Sequence, residues 1–279
     1  MHSVRLELIV LLPYYIRVNR ANKFNLGGIP NLKKNDPKTT LGLCALAFIF
    51  LGVACGGAET TEVQTSTPTA PSPTAETRVP EQDIAGDYSV TGTNEGGGGE
   101  YRGDLRIAKR EGVYQFTWVS GPNTYDGVGV RTGDKLAVSF TDGANGKGCG
   151  VVLYSIAGDG SLDGKVGYWG MNEEAKETAK RTSGSGLEGS YDISGSNPNG
   201  SSYKGKLSVS KQASGYTFSW DAGTVSKGFG VRDGNTVAVG IGGSQCAFVS
   251  YRIGPDGTLD GRWGSPGTTT VGTEIAKKK

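Results

Sequence analysis

The 279-residue chain carries 29 basic and 27 acidic side chains for a formal net charge of +2, so no basic stripe calls for nucleic acid and no acidic tract forms a tail. Its 47 glycines follow no Gly-X-Y period, which excludes collagen and implies many tight turns. The single histidine, His2, falls in a segment expected to be removed, which puts histidine-dependent triads and most zinc sites out of reach.

In chain order, the first element is an address. Residues 41–54 form an apolar run preceded by Lys33, Lys34 and Lys38 and followed by Cys55-Gly56-Gly57. The run is too short to span a bilayer comfortably, and its basic front and small residues before the cysteine read as a secretory signal. Leu51-Gly52-Val53-Ala54-Cys55 resembles a bacterial lipobox, with Gly52 where leucine is usual. The resemblance implies that Cys55 receives a diacylglycerol, whose buried methylenes contribute roughly 0.8 kcal/mol each. The expected protein is extracytoplasmic and lipid-anchored to a membrane; the alternative is a plain signal peptide. Residues 1–31 precede this signal, and a start assigned too far upstream explains them, since a chain beginning near Leu32 has an ordinary n-region; a genuine long leader or a short membrane segment is the alternative. Residues 56–83 are rich in threonine and proline with few large apolar side chains. Such a segment cannot bury enough surface to fold, so it reads as an extended tether.

Beyond the tether the chain is duplicated, residues 84–170 against 187–264. Gly86-Asp87-Tyr88-Ser89-Val90 returns as Gly189-Ser190-Tyr191-Asp192-Ile193, and Tyr114-Gln115-Phe116-Thr117-Trp118 as Tyr216-Thr217-Phe218-Ser219-Trp220. Asp159-Gly160-Ser161-Leu162-Asp163-Gly164 returns as Asp256-Gly257-Thr258-Leu259-Asp260-Gly261. A pattern that recurs this way is a folding unit. The chain thus divides into a leader and signal (1–55), the tether (56–83), repeat 1 (84–170), a charged connector with a helical turn or two (171–186), repeat 2 (187–264) and a C-terminal tail (265–279).

Within each copy the apolar pattern has period two: Tyr101, Gly103, Leu105 and Ile107, then Tyr114, Phe116 and Trp118, then Leu136, Val138 and Phe140. Short alternating runs punctuated by Gly, Asn and Asp predict antiparallel strands joined by hairpins, about seven per copy. Turns are expected at Gly133, Gly160, Gly234 and Gly257. Glycines inside the strands, such as Gly103, Gly127, Gly129 and Gly164, imply strong coiling or bulges. A sheet that coils this much closes on itself. The expected fold is all-β, two tandem small antiparallel meander barrels of lipocalin- or avidin-like outline, with a two-sheet sandwich as the alternative. Segments 149–156 and 246–253 are apolar on both faces, and their outer face is where the repeats are expected to pack together.

Cys149 and Cys246 occupy equivalent positions. They either bridge the repeats as a disulfide or remain two small buried core residues. Two cysteines without histidine make no metal site, and no cofactor is expected. Tyr88, Tyr101, Trp118 and Tyr154, with their counterparts Tyr191, Tyr203, Trp220 and Tyr251, either line a ligand cavity or fill the core. Arg102-Gly103-Asp104 is an integrin-type tripeptide but falls in a predicted strand, against Lys204-Gly205-Lys206 in the other copy. The Asp159 and Asp256 loops read as hairpin turns, not calcium loops. Neither a nucleophile elbow nor a phosphate loop is present, and no enzyme is expected.

The motifs Gly-x-Tyr-x-Val-x-Gly, Tyr-x-Gly-x-Leu, Tyr-x-Phe-x-Trp, Gly-x-Gly-Val, Cys-x-x-x-x-Tyr-x-Ile and Asp-Gly-x-Leu-x-Gly span Gly86 to Gly264. They resemble a group of bacterial secreted proteins often labelled fibronectin-binding. That resemblance implies a non-enzymatic, adhesin-like surface protein with an extracellular or envelope macromolecule as partner, and it carries over no binding residue. Two alternatives stand beside it: a carrier of a small apolar ligand inside each barrel, and an envelope spacer with no specific ligand.

Overall fold

A computed structural model describes residues 82–143, 146 and 148–279. The signal, Cys55 and the tether through residue 81 lie outside them. The strands are β1 Gly86–Thr93, β2 Glu100–Lys109, β3 Tyr114–Ser120, β4 Asn123–Thr132, β5 Lys135–Asp142, β6 Gly150–Ile156, β7 Leu162–Tyr168 and β8 Ala175–Ser185 in the first half. The second half holds β9 Glu188–Ser196, β10 Ser202–Gln212, β11 Gly215–Asp221, β12 Val225–Asp233, β13 Thr236–Ile241, β14 Ala247–Ile253, β15 Leu259–Gly264 and β16 Gly272–Lys278. Among the described residues the only helical segments are single 3₁₀ turns, Glu95–Gly97 and Gly243–Gln245.

The strands close into two eight-stranded antiparallel barrels. This is the fold class that the alternation predicts, and the sandwich alternative falls. One barrel per repeat, however, is corrected. The first barrel runs β1-β2-β3-β4-β5-β14-β15-β16 and back to β1; the second runs β9-β10-β11-β12-β13-β6-β7-β8 and back to β9. Each copy therefore builds five strands of one barrel and lends its last three to the other. The count per copy is eight, not seven, because the expected connector contains β8 and the expected tail contains β16. In β8, Ala175, Glu177 and Ala179 are buried while Lys176, Thr178 and Lys180 are exposed. Its helix-forming composition is overridden by backbone ladders to β7 on one side and β9 on the other.

The chain crosses between barrels after β5 and again after β13. At these crossings Cys149 and Cys246 form a disulfide, with Cα atoms 5.8 Å apart. The bond ties the two crossing segments together and closes a 97-residue separation, a contribution of about 2–4 kcal/mol.

The two-sided strands meet between the barrels, as their pattern predicts. Val151 and Leu153 of β6 pack with Val128 and Val130 of β4 and with Ala137 and Ala238, while Phe248 of β14 meets Phe229 and Val231 of β12. Both faces of β4 are in fact buried from Asp126 to Arg131, which the sequence hides because its inward positions include glycines. Lys135 and Arg252 of the first barrel bracket Asp233 of the second at 2.7 and 3.2 Å and hold its carboxyl below the ordinary aspartate value. Trp169 Nε1 donates to the buried Asp126 at 3.0 Å across the same seam.

One end of each barrel is plugged. Tyr88, fully buried, donates its hydroxyl to the Ile84 carbonyl at 2.8 Å, and Tyr191 repeats this with Leu187 at 2.8 Å. The glycines expected in turns have positive φ: Gly133 at 59°, Gly160 at 81°, Gly234 at 61° and Gly257 at 81°. Asp159 and Asp256 cap their turns through Ser161 and Thr258. These bonds lower both carboxyls from their ordinary value.

Candidate functional site

Away from the plug, four residues further along β1 and so about 13 Å distant, a single inward glutamate sits in each barrel. Glu274 on β16 is 4 % exposed and Glu177 on β8 is also 4 % exposed. A buried carboxylate is costly unless its oxygens find donors, and here each oxygen has them. Glu274 Oε2 accepts the Tyr101 hydroxyl at 2.7 Å, while Oε1 accepts Trp118 Nε1 at 3.1 Å and the Tyr251 hydroxyl. Glu177 Oε2 accepts the Tyr203 hydroxyl at 2.8 Å, while Oε1 accepts Trp220 Nε1 at 3.0 Å and the Tyr154 hydroxyl. The two constellations are copies, each assembled from both repeats because of the strand exchange: Tyr154 comes from the first copy, Tyr203 and Trp220 from the second.

Glycine makes the room. Glu274 is flanked in register by Gly92 and Gly261, and Glu177 by Gly195 and Gly164. A Cβ on Gly92 would lie 2.5 Å from the Tyr101 ring, and one on Gly195 2.5 Å from the Tyr203 ring. On Gly261 and Gly164 it would meet the rings of Tyr251 and Tyr154 at 2.5 and 2.7 Å. These glycines, of which Gly164 and Gly261 read from sequence as a sign of coiling, are the flat floor on which the tyrosine rings lie.

Burial, reinforced by the neighbouring glutamate charge, raises the Tyr101, Tyr203, Tyr154 and Tyr251 hydroxyls well above the ordinary tyrosine value. They therefore remain donors at any physiological pH. Burial also raises the Glu274 carboxyl, against the opposing pull of its bonds from Tyr251, Tyr101 and Trp118.

Above each glutamate is a partly open cavity, about 270 Å³ in the first barrel and about 250 Å³ in the second. The first is walled by Tyr101, Trp118, Tyr125, Phe140 and Trp263 over Glu274. The second is walled by Tyr154, Tyr168, Tyr203, Trp220 and Ile241 over Glu177. Among the described residues, no lysine, arginine or histidine lines either one.

Six of the eight aromatic residues singled out from sequence converge on the two glutamates; Tyr88 and Tyr191 form the plugs instead. Both glutamates went unrecognised in the sequence, yet a signal was there. Ala175-Lys176-Glu177-Thr178-Ala179-Lys180 recurs as Gly272-Thr273-Glu274-Ile275-Ala276-Lys277, at the same 97-residue separation as Cys149 and Cys246. The duplication runs through the segments taken for connector and tail. The Arg102-Gly103-Asp104 tripeptide lies inside β2, as expected; Ser120 binds the Arg102 carbonyl and Asp104 pairs with Lys279 at 2.7 Å.

No protein-family model, no curated protein and no solved structure matches this chain.

Proposed function

We propose that the chain is a non-enzymatic binding protein in which each barrel holds one small ligand above its glutamate. The supporting observation is that one cavity architecture, a buried carboxylate gripped by two tyrosines and a tryptophan beneath aromatic walls, is built twice. A polar cluster needed only for folding would be costlier than an apolar core of the same volume; its position under an open cavity gives it a second use. Both oxygens of each glutamate are occupied by donors, so neither is placed to take a proton from a substrate. The cavities fall just below the range typical of drug-sized ligands, which points to a compact ligand or to the head of a larger one.

The lipid anchor at Cys55 and the extracytoplasmic location belong to this proposal as its setting. The matrix-binding role implied by the family resemblance has no comparable support on the barrel surfaces. Among the described residues the large exposed apolar side chains are Val119, Met171 and Val225, and the adhesive tripeptide is held in a strand instead of a mobile loop.

Calorimetric titration of the full chain against a panel of small amphiphiles tests the reading. The wild type should bind up to two equivalents, and Trp118→Ala and Trp220→Ala should each remove the site in their own barrel while the far-ultraviolet spectrum is kept. Binding that survives both substitutions together would refute a cavity carrier.

A further inference from the structure

The two cavities are not equivalent, and the difference has a chemical sense. In the first barrel five aromatic rings form one connected wall. Trp263 contacts Tyr101 and Phe140 edge-on at 6.2 and 6.1 Å, and Phe140 in turn contacts Trp118 at 5.4 Å and Tyr125 at 6.0 Å. Strand register gives the counterparts in the second barrel. Trp263 pairs with Val249 and Gly272, as Val166 pairs with Val152 and Ala175. Phe140 pairs with Gly127, as Ile241 pairs with Gly228. Tyr125 pairs with Trp118, as Ser226 pairs with Trp220. Three aromatic walls of the first cavity are therefore valine, isoleucine and serine in the second, which has Tyr168 where the first barrel has Ser265.

The Trp263 exchange is coupled to its neighbour. A Cβ on Gly272 would lie 2.4 Å from the Thr93 carbonyl and 2.5 Å from the Trp263 indole nitrogen, so glycine serves both the backbone and the ring there, while the second barrel has Ala175 beside Val166. Trp263 also anchors its indole N–H on the Thr93 carbonyl at 3.1 Å. The ring is a fitted part of the wall.

Resting on the carrier reading above, we infer that the first barrel selects a small organic cation of the alkylammonium class, held among the five ring faces above the Glu274 carboxylate. Ring faces are negative and attract a cation within about 6 Å of their centroids; an anion would meet those faces and an unneutralised glutamate. A hard metal ion is disfavoured because both Glu274 oxygens are occupied by donors and a cation of that kind needs about six or more oxygen ligands, whereas Asp104 is the one other carboxylate of the lining. A weakly hydrated N-alkyl cation matches both the apolar walls and the charge at the floor. The second cavity keeps the glutamate and is lined by four aromatic residues, Tyr154, Tyr168, Tyr203 and Trp220, but has no counterpart of the Trp263, Phe140 and Tyr125 wall, so it discriminates less by charge.

Calorimetry on the full chain compares choline with its uncharged isostere 3,3-dimethylbutan-1-ol. Choline should bind at one site per chain, at least tenfold more tightly than the isostere. The variant Trp263→Val installs the residue the second barrel already uses and keeps Gly272, so its fold is expected to hold. It should weaken choline by at least tenfold, with an unchanged circular dichroism spectrum. Equal or tighter binding of the isostere at a Trp263-dependent site would overturn the cation inference and leave the carrier reading standing. Choline binding undiminished in the Trp263→Val variant would place the site elsewhere and also overturn it. Silence from both compounds overturns it as well, and the carrier reading falls too only if the amphiphile panel is equally silent.

Discussion

Glu274 is the residue at which folding and binding compete most directly. Burial raises its carboxyl above the ordinary value of 4.5, so the folded chain holds that proton more readily than the unfolded chain does. Between 4.5 and the raised value the native state binds more protons, and the glutamate's contribution to stability falls as pH rises through that window. Above the window the cost of the buried charge is fully present. Urea denaturation of wild type and Glu274→Gln over a pH series reads this as a difference, in which titrations common to both proteins, such as Asp159 and Asp256, cancel. The wild type should lose stability relative to the variant as pH rises from about 4.5; a relative gain would show that the hydrogen bonds outweigh burial. The aromatic partners of Glu274 were legible in sequence because Tyr101, Trp118 and Tyr251 sit at alternating positions of recognisable strands. The glutamate itself was not, because a lone acid among lysines and threonines looks like a solvated face until the ladders on both its sides are known.

Strands β2, β3 and β10 are readable from alternation alone, since a single apolar face points inward and the opposite face is wet. Strands such as β4 are harder. Its inward Gly127 lies under the Trp118 ring and its inward Gly129 under the Phe116 ring, so the hydrophobic period is carried by absent side chains. The same device operates beside the glutamates and can be tested there. On Gly92 an added methyl would lie 2.3 Å from the Thr273 carbonyl and 2.5 Å from the Tyr101 ring. Gly92→Ala should therefore cost about 1–3 kcal/mol through overpacking, a drop of several degrees in Tm for a protein of this size. Gly98→Ala, where φ is −84° and the closest contacts lie at 3.7 Å, should change Tm by little. Thermal melts of the two variants give the comparison, and equal effects would mean that the glycines beside the tyrosine rings are not there to seat them.

For the whole molecule, local pattern fixed the two barrels but could not say which copy of β6–β8 closes against which copy of β1–β5, because the duplicated strands present nearly the same edges. The exchange is decided at the crossings after β5 and β13, where the disulfide and the apolar seam lie. A single copy, residues 82–185, should then find its missing strands in a second copy of itself and form an exchanged dimer, joined under oxidising conditions through Cys149 of each chain. Light scattering and a non-reducing gel check this; a folded monomer would show that the crossing is optional. The exchange also orders events as the chain emerges N-terminus first. The second barrel has all its strands once residue 241 has been made, whereas β1 must wait for β16, with Thr93 and Thr273 meeting across 180 positions of chain. Closure at such separation is slow. The first barrel therefore emerges with an open edge on β1 and another on β5, and the first of the described strands to emerge is among the last to gain both of its neighbours.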